Sequence, residues 1–191
     1  MLFRSTEDNL VLFGDFRENP EKYPLSTPSG KIEIFSETIE SFGYDDCAGH
    51  PRWYEPDEWL GGPRASQFPL HLIANQPKTR LHSQLDHGAA SQASKIQGRE
   101  PIRMHPDAAA ARGVSAGDVV RVFNDRASLH ATARVSDAGS RVRPGFVIVP
   151  FGWVGERTDD GNTVNMLTSD TATDWGGGVA FYDTLVEVAR A

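Results

Sequence analysis

The sequence has little of what the common chemistries need. It holds one cysteine, Cys47, in 191 residues. That excludes an intramolecular disulfide and a cysteine-held iron–sulfur cluster. In "GYDDCAGHP" two acids precede Cys47; their charge disfavours a thiolate and with it a nucleophilic role. No apolar run approaches the roughly 18 residues of a membrane-spanning helix. The N-terminal "MLFRSTEDNLVLFGDFRENP" is too acidic for a signal peptide and has no small-residue cleavage site. There is no Gly-x-Gly-x-x-Gly after a strand and no phosphate-binding lysine loop, so the common nucleotide cradles are missing. No histidine spacing resembles a zinc motif, and no Gly-x-Ser-x-Gly elbow supports a hydrolase triad from Ser83, His82 and Asp86.

Positive charge is also scarce. The chain carries net −7, but unevenly: residues 67–105 carry +3 and 106–154 carry +2, against −7 for 1–66 and −5 for 155–191. An acidic protein with a cationic middle is a poor partner for nucleic acid. It suits a small anionic ligand better, with a solvated cationic face as the simpler reading.

What is present is punctuation. Eighteen glycines and twelve prolines make turns frequent. Residues 1–65 read as an irregular arm, with a short strand at Lys31–Phe35 and coil that packs through Trp53, Tyr54 and Trp59. From residue 66 the pattern is that of a small β-barrel. "FPLHLIAN" is a buried strand. Pro106 follows the capping His105 of a short alanine-rich helix that Gly113 ends. "VVRVF" and "SLHATARVS" form a hairpin around Asn124–Ala127. "RPGFVIVPFGW" and "TLVEVA" supply two more strands.

Two polar segments stand apart from this frame. "NQPKTRLHSQLDHG" (75–88) crowds amides, cations and histidines behind a buried strand. "GNTVNMLTSD" (161–170) is a second cluster, followed by glycines 176–178. Amide side chains carry a donor and an acceptor and match heterocycle edges, whereas Lys78 and Arg80 suit phosphate. The residues alone thus point to a phosphorylated heterocycle held by two distant segments. The simpler reading is that Asn75 and Asn165 cap turns and His82 is a core histidine.

"TPSGKIEIFSE", "HLIANQPKTRLHSQLDHG", "GREPIRMHPDAAAARGVSAGDVVRVFNDR", "RPGFVIVPFGW" and "NMLTSD" occur in one order. In that order they resemble the C-terminal part of molybdopterin oxidoreductases, of the dimethyl sulfoxide, biotin sulfoxide and trimethylamine-N-oxide reductase branch. The resemblance implies a mainly β fold, a double-psi β-barrel over residues 66–191 with a few short helices, and residues 1–65 as a remnant of what precedes it. It implies a molybdopterin guanine dinucleotide cofactor, with molybdenum or tungsten, in the intact enzyme and its absence from the isolated chain. The pterin and diphosphate would be lined by Asn75, Gln76, Lys78, Arg80, Leu81, His82, Ser83 and Gln84, and by Asn162, Asn165, Thr168 and Asp170. No residue here is expected to be catalytic or to ligate a metal directly, because enzymes of this family are several times longer and carry the metal ligand and substrate funnel elsewhere. The expected partners are those remaining domains or a catalytic large subunit, not nucleic acid or membrane, and cytoplasm is preferred over periplasm.

Four departures mark the resemblance. The hairpin has Ala127 where the family usually has glycine, the loop before Pro144-Gly145 is longer, "PFGWVGERTDDGNTVN" differs from the sulfoxide reductases' version, and "TATDWGGGVAFYDT" replaces the usual tail. Two other classes fit a double-psi barrel: a non-catalytic protein-interaction module, and a lyase that would need a self-processing Gly-Ser step, for which Gly139-Ser140 is the only candidate.

Overall fold

The computed structural model describes residues 11–136, 142–153, 155, 158–173, 176–179 and 181–191. Gly139-Ser140 lies outside them. The chain divides into two compact units, Met1–Glu55 and Pro56–Ala191.

In the first unit, Ser36 caps a one-turn helix, Glu37–Glu40, by accepting from the Ile39 N–H. Gly49 donates to the Glu40 carboxylate at 2.8 Å. The strand expected at Lys31–Phe35 does not form. Its alternating Ile32 and Ile34 are 74% and 81% exposed. Period-2 patterning makes a strand only where a neighbour completes its ladder, and none is present among the described residues of this unit. Trp53 is likewise 73% exposed and does not serve as a packing anchor.

The second unit is built on six strands: β1 (Leu70–Ile73), β2 (Pro101–Met104), β3 (Val119–Phe123), β4 (Ser128–Val135), β5 (Phe146–Ile148) and β6 (Leu185–Arg190). They close in the order β1-β5-β2-β4-β3-β6. Two pairs are parallel, β1 with β5 and β2 with β4. The rest are antiparallel. This is the double-psi β-barrel that the resemblance implies. Closure leaves no free sheet edge. Alternate residues fill the interior: Leu70, Leu72, Ile102, Met104, Val120, Val122, Val147 and Val188 are each no more than 2% exposed. β2 escapes a reading by pattern, because it is four residues long, begins with proline and buries every residue but Arg103, so no alternation shows; Ile102 and Met104 join the core.

The short helix Pro106–Ala110 forms where expected, its first turn capped by the His105 ring, whose Nδ1 accepts from the Asp107 N–H. Gly113 ends it at φ +61°. Residues 124–127 form a four-residue hairpin loop between β3 and β4. There the Asn124 Oδ1 accepts from the N–H groups of Arg126 and Ala127 at 3.0 and 3.3 Å. This side-chain closure needs no positive φ, which accounts for alanine at 127. Among the described residues no helix is long and apolar enough to cross a membrane.

Glu58 lies within the barrel unit as a buried carboxylate. It accepts from the Arg126 guanidinium at 2.5 and 3.2 Å and from the Leu185 N–H at 2.8 Å. One acid thereby joins the segment before β1, the β3–β4 turn and the start of β6. Burial works to raise its pKa, but the hydrogen bonds from Arg126 and Leu185, with the charges of Arg126 and Arg64, hold it below the ordinary 4.5. A lowered carboxylate pKa contributes stability that is present above the unfolded value and is lost as pH falls through the folded one. Melting temperature should therefore decline as pH drops below about 4.5, as carboxylates such as Glu58 are protonated. Glu58→Gln should lose about 2–3 kcal/mol at neutral pH, or roughly 5–10 °C in a thermal melt, and should flatten part of that acid decline.

Candidate functional site

β1 and β5 run parallel, so both leave the barrel at the same rim. β1 continues into Ala74–Asn75 and β5 into Pro150–Phe151. The Phe151 N–H donates to the Asn75 carbonyl at 3.0 Å, extending the pairing past the strands. Segment 75–88 therefore starts beside the chain that leads to 161–170. A cavity of about 450 Å³ opens between them, lined by His82 from the first segment, by Asn165, Thr168 and Asp170 from the second, and by Phe151 and Tyr182.

Each wall has a physical support. The turn Val164–Leu167 buries Val164 and Leu167 completely in the barrel. The Leu167 carbonyl accepts from Asn124 Nδ2 and from Arg126 Nε, both at 2.8 Å. With its apolar residues inside and its carbonyl clamped, the turn must present Asn165 outward. The Thr168 hydroxyl then donates to the Asn165 carbonyl at 2.8 Å, closing the turn. Asn124, Arg126 and Glu58 were not among the expected site residues. Their signal lies only in the Asn-Asp-Arg turn, and it names a hairpin, not a clamp.

On the other wall, His82 holds φ +50° and its ring lies against Phe151 at 5.5 Å between centroids. A non-glycine residue in the left-handed region carries strain that its surroundings must hold. Here Gly152 (φ +76°) abuts the His82 backbone so closely that a Cβ would sit 2.4 Å from its carbonyl oxygen. Only glycine allows that approach.

Arg80 was offered by its sequence to pterin or phosphate. Its guanidinium instead turns inward, with 0% of the side chain exposed. Nε donates to the Gly152 carbonyl at 2.7 Å, Nη1 to Ser91 Oγ at 3.1 Å and Nη2 to the Phe151 carbonyl at 3.1 Å. Glu100 stands 2.9 Å from Nη2 and Asp86 3.6 Å from Nε, and Lys95 completes the cluster at 2.9 Å from Asp86. Burial, the largest influence, raises the Glu100 pKa against the pull of Arg80 and Lys95. Arg80 thus ties the segment after β1 to the backbone after β5, where Phe151 forms part of the cavity wall. No other side chain supplies five donors in a rigid fork.

The remaining expected residues divide. Asn75, Gln76 and Lys78 line a smaller cavity of about 260 Å³. The Asn75 amide oxygen is buried and has no hydrogen-bond partner among the described residues. Gln76 donates to the Arg80 carbonyl at 2.9 Å. Leu81, Ser83 and Gln84 are exposed and line neither cavity. Asn162 braces the barrel: its amide donates to the Ser128 carbonyl and its own carbonyl accepts from the Trp153 indole. His130, Asp159 and Asp160 approach within 4.8 Å of one another elsewhere on the barrel unit. There Arg99 already holds Asp159, and the His130 N–H already holds Asp160.

The larger cavity offers an imidazole, an amide, a hydroxyl, a carboxylate and aromatic faces. That set fits a flat heterocycle with both donor and acceptor edges. Arg80→Lys should cost about 3–5 kcal/mol, because it leaves two buried acids and two carbonyls short of donors. A drop of about 10 °C in a thermal melt checks it. An unchanged melt would return Arg80 to the ligand-facing role.

Comparison with known proteins bears on this arrangement. The model of the "Molydopterin dinucleotide binding domain" matches residues 70–185. The chain is 47% identical over 173 residues to a dimethyl sulfoxide/trimethylamine N-oxide reductase of Cereibacter sphaeroides, covering 86% of this chain and 21% of that protein. It is 42% identical to a biotin sulfoxide reductase of the same organism, covering 91% and 23%. It is 43% identical to trimethylamine-N-oxide reductase 1 of Escherichia coli, covering 92% and 22%. It thus spans about a fifth of the length of these relatives. Among solved structures, acetylene hydratase from Pelobacter acetylenicus superposes with a TM-score of 0.71 at 20% identity, over 91% of this chain and 25% of that one, a likeness of fold. With a match across most of the barrel and two polar segments meeting at its rim, the chain belongs to the molybdopterin dinucleotide-binding domain family, as represented in the dimethyl sulfoxide reductases.

Proposed function

We propose that the cavity walled by His82 on one side and by Asn165, Thr168 and Asp170 on the other holds a heterocyclic end of a molybdopterin guanine dinucleotide. The reading rests on one observation: segments some eighty residues apart in sequence line the same 450 Å³ space. Asn165 supplies an amide edge, Thr168 and Asp170 accept from ring or exocyclic N–H groups, and the His82–Phe151 pair offers an aromatic wall. Arg80 and Gly152 position these groups and do not touch the ligand. When bound, the cofactor's metal supplies the redox chemistry. The residues of this chain orient the cofactor and hold its polar edges.

On this reading the whole protein is an oxidoreductase acting on an S- or N-oxide, as its relatives' names suggest. The barrel packs against remaining domains or a large subunit that bring the metal ligand and the substrate funnel. Residues 1–65, of which 56–65 already belong to the barrel unit, form the connection to them. An exposed rim supports this: Leu81 and Leu85 beside one polar segment and Met166 and Tyr182 beside the other are all about half exposed or more. Apolar groups gathered around a polar mouth mark a surface made to be covered.

Asn165 is exposed and its side chain makes no hydrogen bond among the described residues, so Asn165→Ala should leave the thermal melt unchanged. The same change should weaken binding of isolated molybdopterin guanine dinucleotide, or of GDP as a partial mimic, by about five- to tenfold. Amide shifts in an NMR titration check this: movement at 82 and 165–170 supports the site, and shifts confined to other residues refute it.

A further inference from the structure

The smaller cavity, of about 260 Å³, lies on the other side of the same rim. Side chains alternate across a strand. Ala74 and Phe151 face the larger cavity, whereas their chain neighbours Asn75 and Pro150 face the smaller one. Arg103 and Arg134 complete its floor. They are register partners across the parallel β2–β4 pair, and both are exposed while Ile102, Met104 and Ala133 point into the core. Two arginines on neighbouring strands, about 4.8 Å apart, repel each other. Lys78 adds a third cation from the rim. Among the described residues none of the three forms an ion pair with an acid. The carboxylate that also borders the cavity, Glu100, faces Arg80 at 2.9 Å and Lys95 at 3.6 Å. The hydroxyls of Thr79 and Ser94, 3.3 Å from each other, stand at the edge.

We propose that Lys78, Arg103 and Arg134 form an oxyanion site that takes a phosphate or diphosphate group. A cavity below the roughly 300–1,000 Å³ range of drug-sized ligands suits a small ion, not a whole dinucleotide. Paired guanidinium forks match phosphate oxygens bidentately. An anion that neutralises both arginines at once removes the repulsion between them. The site goes beyond the heterocycle cavity and does not depend on what fills it. Its phosphate comes either from the diphosphate of a cofactor that reaches over the rim or from a free inorganic ion.

The test is an amide-shift titration of the whole chain at low salt, with pyrophosphate, GDP and guanosine in turn. Pyrophosphate should shift residues around Lys78, Arg103 and Arg134 saturably and leave 165–170 in place. The double variant Arg103→Gln, Arg134→Gln should bind pyrophosphate at least about tenfold more weakly, while Arg121→Gln, an exposed arginine on β3, should not. Without anion the double variant should melt no lower than the parent, since a like-charged pair has been removed. GDP moving both sets of residues at one affinity assigns the phosphate to a dinucleotide. GDP that leaves the small cavity free for pyrophosphate assigns it to a free ion. Either result supports the site. Equal pyrophosphate affinity in parent and double variant, or no saturable shift at these residues, overturns it. Guanosine reports on residues 165–170 alone, so failure of the heterocycle cavity is read separately.

Discussion

The parallel pairing of β1 with β5 is the constraint on which the site depends. Antiparallel neighbours would send their exits to opposite ends of the barrel. Parallel ones deliver both exits to the same rim, and the Phe151–Asn75 hydrogen bond carries the pairing one step beyond the strands. A parallel pair needs a long crossover. Here the crossover contains β2, β3 and β4, so closing the barrel and joining the two polar segments are one event. A substitution that opened the β1–β5 seam would separate the segments even if every ligand-facing side chain stayed in place.

Two buried charge clusters then set the walls. Arg80 fastens the segment after β1 to the backbone after β5, and Asp86, Glu100 and Lys95 surround it. Arg126 fastens the β3–β4 turn to Leu167, with Glu58 as its partner. Buried ion pairs give little net stability compared with apolar packing, because both charges must leave water. What they supply here is position: each guanidinium fork meets backbone carbonyls in one geometry, and those carbonyls belong to the residues that carry the cavity. The charged middle of the chain, which composition alone suggested as an anion-binding face, thus divides into inward-facing positioning residues and outward-facing cations.

Much of the barrel was legible from pattern. Strands β1, β3, β4, β5 and β6, the Pro106 helix and the Asn124 hairpin all carry local signals, in turn residues and period-2 alternation. The misreadings share a cause. Lys31–Phe35 alternates like a strand but has no partner to pair with among the described residues of its unit. β2 has a partner on each side but is too short to show its period. A ladder is made by neighbours, and a window of sequence does not contain them.

For the site, the amino-acid sequence by itself determined which segments are rich in groups able to hold a polar heterocycle, and where the chain turns. Ordered motifs also identified the family. Only the tertiary structure decided which side chains face the ligand space. Arg80 and His82 stand two residues apart in one polar run, yet one is buried and the other lines the cavity. Arg103 and Arg134 are thirty-one positions apart and became neighbours through strand register. Residue type is a local property, whereas facing is set by closure of the sheet, because a side chain's direction follows from which strands lie beside its own.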